Sequence, residues 1–177
     1  MDEKALEFAI NDLLYKGISK KSIINTLKNE YSVNEVKNII GGSSIPHIIN
    51  FKKTLSLLSA LLFLSAFLTL LAKKEMNIEN LMEVFFFIPF SFLYIFAYLN
   101  INYNKSIPLQ KISFYGIFFF QFSLFAFNIG FSIFQKETNF GLNLISLIIF
   151  YYFIRAYIAF PKYLNWAKEK QITINYE

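Results

Sequence analysis

The sequence predicts an all-α fold: a polytopic membrane protein in which a small N-terminal three-helix cytoplasmic domain precedes an up-and-down bundle of four transmembrane helices. Three observations predict it. Of the 177 residues, 55% are hydrophobic, 20% aromatic and only 16% charged, which is far from a soluble profile. Charge is also segregated, because residues 1–53 carry eight of the 17 basic and six of the 12 acidic side chains, whereas beyond them long uncharged runs alternate with short charged ones. Four apolar stretches, 54–72, 81–99, 112–135 and 140–160, the second interrupted only by Glu83 and the fourth only by Arg155, approach or exceed the roughly 20 residues that cross a hydrocarbon core.

The three soluble helices, within residues 1–45, are legible from their ends. The first runs from about Glu3 to Lys16 and aligns Leu6, Ala9, Ile10, Leu13 and Leu14, with Gly17 available for a left-handed C-terminal turn. Ser19 caps the second, whose apolar face is Ile23, Ile24 and Leu27. Ser32 and Glu35 have the spacing of a capping box for the third, which carries Val36, Ile39 and Ile40 and ends at Gly41-Gly42. Flexible Gly and Ser followed by Pro46 then predict a linker over 46–53 on which this bundle swings. A bundle of about forty residues is marginal by itself, so it is expected to lean on the membrane part or on a partner.

Each span is bounded by charge. The first, 54–72, lies between Lys52-Lys53 and Lys73-Lys74, and the second, 81–99, contains Glu83 and Pro89. The third, 112–135, has no charge, and the fourth, 140–160, contains Arg155; residues 161–177 follow as a tail. Short connections make neighbouring spans antiparallel. Lys52, Lys53, Lys105, Lys111, Lys162, Lys168 and Lys170 fall on one side, with Arg155 close by, against Lys73, Lys74 and Lys136 on the other. The positive-inside rule therefore places both termini in the cytoplasm, in a membrane of the bacterial inner (plasma) type. With no apolar stretch near Met1, the first span is expected to act as its own insertion signal.

Composition excludes much chemistry. Absence of cysteine removes disulfides, thiolate nucleophiles and Fe–S clusters. The single histidine, His47, reads as a linker residue rather than a metal or haem ligand. Residues 1–40 hold six Lys against six acids, so the N-terminal domain has no electrostatic attraction for nucleic acid. No paired intramembrane carboxylates, metal motif or phosphate loop is present, so neither a cofactor nor an enzymatic activity is expected.

The residues singled out are membrane residues. Glu83, about one turn into its span, reads as an interfacial anchor near Lys73 and Lys74. Arg155 reads as a snorkelling side chain able to meet a lipid headgroup or an acidic partner, and Trp166 as part of an interfacial aromatic belt. In the third span Gly116, Ser123 and Gly130 recur every seven residues, as do Gln121, Asn128 and Gln135, giving a small-residue seam and an amide seam on different faces. The expectation is that the glycine seam packs against another helix and that the amides bond a neighbouring helix or subunit, with pore lining by Gln121 and Asn128 as the alternative. A lipid bilayer and either a protein partner or further copies of the chain are the implied partners. A non-enzymatic protein acting by protein–protein interaction, as an accessory subunit or immunity-type protein, is the leading reading; a small transporter or homo-oligomeric channel is the competing one.

Overall fold

In the computed structural model the chain is described over residues 3–72, 78–135 and 140–176, and among these every element is a helix. They are α1 (Glu3–Tyr15), α2 (Lys20–Leu27), α3 (Val33–Gly42), α4 (Ile45–Ala72), α5 (Ile78–Asn100), α6 (Ile107–Gln135) and α7 (Phe140–Tyr176). The flanking lysines Lys73, Lys74 and Lys136 lie outside the described residues. By contact the chain divides into two compact units, one formed by residues 1–50 and 155–177 and the other by residues 51–154.

In the first unit, hereafter the head, the terminating signals act largely as read. Gly17 has φ +83°, and the turn it makes lets Gly17 N–H donate to Leu14 O and Ile18 N–H to Leu13 O, the paired bonds of a Schellman motif. Ser19 Oγ accepts from Ser22 N–H at 3.2 Å. The Ser32 capping box does not form: Ser32 has extended backbone at the N-cap of α3 but its side chain makes no capping bond. α1, α2 and α3 pack pairwise and bury Leu6, Ile10, Leu14, Ile23, Val36 and Ile40.

Two boundaries differ from the sequence reading, both around prolines. Residues 46–53 are not a linker but the first turns of α4, which leaves only Ser43 and Ser44 between α3 and α4. Pro46 is the second residue of that helix, where its missing N–H removes no intrahelical bond, and Ser43 Oγ accepts the Ile45 N–H at 3.2 Å. Residues 161–176 are likewise not an appended tail, because α7 continues through Pro161 to Tyr176. The helix bond lost at Pro161 is set against burial of Phe160, Tyr163, Leu164, Trp166 and Ala167, which belong to the core of the head.

The second unit is held by aromatic and hydroxyl contacts. Phe51 of α4 lies 5.1 Å from the ring of Phe114 of α6 and 4.8 Å from Phe153 of α7. Phe90 of α5 stacks on Phe120 of α6 at 4.9 Å, and Phe125 of α6 on Phe150 of α7 at 4.2 Å. Among the described residues two stretches, Ile45–Leu68 in α4 and Leu147–Ile172 in α7, are long and apolar enough to cross a membrane, and α5 adds a shorter apolar stretch, Phe87–Asn100.

Candidate functional site

The head contains the most chemically varied surroundings in the chain, and they arise where α1 and α3 meet the C-terminal part of α7. Asn11 faces the core on α1 and is buried, a position the apolar pattern of that helix does not announce. Its Oδ1 accepts from Ser43 Oγ at 2.6 Å, and Ser43 in turn accepts the Ile45 N–H, so one buried relay joins α1 to the start of α4. The next residue, Asp12, reaches the surface and bonds Lys16 at 2.7 Å and Lys170 of α7 at 3.0 Å. Partial burial alone would raise the Asp12 pKa, but hydrogen bonds and charge from Lys16 and Lys170 outweigh it and hold the carboxyl below its ordinary value.

Trp166 is buried rather than displayed on the surface. It is only 4% exposed, with the rings of Tyr15 at 5.1 Å, Tyr163 at 5.8 Å and Phe8 at 6.4 Å around it. Lys170 lies over the Phe8 ring at 5.8 Å. The sequence placed Trp166 in a belt because it follows a span, whereas the continuation of α7 turns its indole into the head.

Two cavities adjoin this core. The larger, about 310 Å³, has Phe8, Asn11 and Trp166 in its wall and mixed charge from Lys4, Glu7, Lys162 and Glu169. The smaller, about 180 Å³, is lined by residues 41–44, His47, Arg155, Ile158, Ala159 and Lys162. Arg155 Nη2 stands 3.3 Å from His47 Nε2, so the guanidinium donates to a neutral ring whose proton is on Nδ1. Sequence reading kept Arg155 and His47 apart, one in a span and one in a linker; the helical start of α4 is what brings them together.

In the second unit a serine pair joins α4 to α5. Ser59 Oγ lies 3.1 Å from Ser91 O, Ser91 Oγ lies 2.9 Å from Ser59 O, and the two hydroxyls are 2.8 Å apart, all buried. With one proton each, the hydroxyls either both donate to carbonyls or one donates to the other. Ser91, two residues beyond Pro89, was not singled out from sequence. Tyr94 O–H of α5 donates to Gln121 Oε1 of α6 at 2.6 Å. Lys52 Nζ donates to Asn102 Oδ1 and lies over the Tyr98 ring at 4.9 Å.

The glycine seam has a different setting from the one expected. A Cβ built on Gly116 or Gly130 would meet nothing within 4 Å, and Ser123 is exposed, so no helix of the same chain packs on this seam among the described residues. The side chains of Glu83 and Asn128 lie outside the described residues. Among the described residues no group of three or more His, Asp or Glu is placed to hold a metal ion. No protein-family model, curated protein or solved structure matches the chain.

Proposed function

We propose that the chain is a four-span integral membrane protein, both termini cytoplasmic, that works by binding another protein through its head or its helices, as an accessory subunit or immunity-type protein, rather than by catalysis. The observation that carries the membrane part is the outward face of the second unit. Leu57, Leu61 and Phe67 of α4, Phe85, Phe92 and Phe96 of α5, Ile112, Phe119 and Phe127 of α6, and Leu147, Ile148 and Ile154 of α7 are all exposed. Four helices presenting large apolar side chains outward favour a hydrocarbon surround, since a water-facing surface does not sustain contiguous apolar patches of that extent.

The binding role is supported by the construction of the head. Its three N-terminal helices gain a core from the end of α7, and α2 presents a polar face with Lys20, Lys21, Ser22, Asn25 and Thr26 exposed. Such a module is built to persist as a folded docking surface. The competing transporter or channel reading needs polar groups free to line water, and Gln121, one of its two candidates, has its amide oxygen engaged by Tyr94.

Crosslinking in native membranes followed by purification of the full chain tests the proposal. The expected result is stoichiometric recovery of another protein, lost when exposed head residues such as Lys21 and Asn25 are replaced, together with no ion flux when the purified chain is placed in liposomes. Flux without a co-purifying protein would replace this reading with the transport one.

A further inference from the structure

The smaller of the two cavities beside the Trp166 core differs from the larger in its charge. Arg155, Lys162 and His47 line it, no Asp or Glu does, and the carboxylates Glu7 and Glu169 line the neighbouring cavity instead. Among the described residues neither Arg155 nor Lys162 makes an ion pair, and the one bond of Arg155 is to the neutral imidazole of His47. Two positive groups seven residues apart on α7 stand about 10.5 Å apart along the axis on one face, with small Ala159 between them, so their long side chains can converge on one anion. The wall opposite is equally open, since a Cβ on Gly41 or Gly42 would meet nothing within 4 Å. At about 180 Å³ the cavity is below the range of about 300 Å³ and more that holds drug-sized ligands, which suits a single small anion.

We propose that this cavity is a binding site for a phosphate group, held by Arg155 and Lys162. Arg supplies a planar fork of donors to two phosphate oxygens, Lys a point charge to a third, and His47 buttresses the guanidinium. The backbone start of α4 contributes little, because the Ile45 N–H is already bonded to Ser43, Pro46 has none and the His47 N–H bonds Ser44 O. The phosphate can come from an anionic lipid headgroup or from a free phosphate. The lipid source rests on the membrane reading above; the site itself does not.

The test uses the full chain purified in a phosphate-free maltoside detergent, with inorganic phosphate and phosphatidylglycerol as separate probes, and reads melting temperature and lipid retention in native mass spectrometry. Three proteins are compared: wild type, Arg155→Gln/Lys162→Gln, and Lys28→Gln/Lys37→Gln, which removes the same charge from exposed positions elsewhere in the head. Wild type should be stabilised by a phosphate-bearing probe, the Arg155/Lys162 variant should bind about ten-fold or more weakly, and the control should match wild type. A response to phosphatidylglycerol alone assigns the lipid source, and a response to inorganic phosphate as well assigns free phosphate. The proposal is overturned if wild type responds to neither probe, or if both double variants weaken equally, which is surface charge alone. It is also overturned if the Arg155/Lys162 variant melts lower by the same amount with and without probe, because the two cations then serve only the carbonyl end of α3.

Discussion

Asp12 and Lys170, from opposite ends of the chain, meet at 3.0 Å, and Lys170 at the same time covers the ring of Phe8. Through this contact and the Trp166 aromatic cluster the end of α7 becomes part of the N-terminal bundle. A head of about forty residues that is marginal by itself is thereby enlarged by the chain's own C-terminus.

The Asp12 carboxyl carries a pH signature. Its folded pKa lies below the ordinary value, so its stabilising contribution is fully present above the unfolded carboxyl pKa of about 3.9 and is lost as pH falls through the lower folded value. Asp12→Asn should cost about 1 kcal/mol at neutral pH, as expected for a partly exposed pair, and should flatten the loss of head stability below about pH 4. Trp166 is the single tryptophan, so its fluorescence during unfolding reports on the head directly. An unchanged acid limb in the variant would remove this assignment.

Trp166 is expected to be the largest single contributor to the head. Trp166→Ala should destabilise it by about 3–5 kcal/mol, and Trp166→Phe by clearly less because part of the stack survives. Ending the chain at Pro161 should expose residues 3–42 to protease while the rest of the chain still inserts. Full protection of those residues in the truncated protein would show that the end of α7 is dispensable.

The Ser59–Ser91 pair makes a double-mutant cycle with a defined answer. Each serine to alanine change should cost about 0.6 kcal/mol, with an upper bound near 1.7, and the coupling should be similar in size because the two hydroxyls also bond one another at 2.8 Å, a contact that either substitution removes. Steric trapping or thermal melting in detergent measures it. Additive effects would mean that the two serines act separately.

Gly116→Ala and Gly130→Ala should be neutral or should stabilise the single chain by up to about 1 kcal/mol, since the added methyl meets nothing and alanine favours the helix. Loss of a dimer on gel filtration or crosslinking, without loss of monomer stability, would place a second copy on this seam. Loss of monomer stability itself would contradict the open setting of both glycines.

Orientation is testable without purification. A reporter active only outside the cytoplasm should be silent when fused after Glu177 and active when inserted between Lys73 and Asn77, which follows from the lysine asymmetry. The reverse pattern would invert the topology.

What the sequence determined by itself is local. Gly17 had to end α1 because only glycine readily takes φ +83° there, Ser19 had to cap α2, and the long apolar runs, well beyond the length of a strand, had to be helices. What the tertiary structure decided depends on where helices meet. Asn11 reads as a flaw in an apolar stripe until Ser43 is beside it, and Trp166 reads as a belt residue until α7 passes through Pro161 and turns the indole toward Phe8 and Tyr15. Arg155 and His47 become neighbours only because Pro46, taken from sequence as a break, occupies the one stretch of a helix where proline costs nothing. A helix end is a balance between a small local penalty and the burial available beyond it. The sequence displays the penalty, and only the packed chain contains the burial.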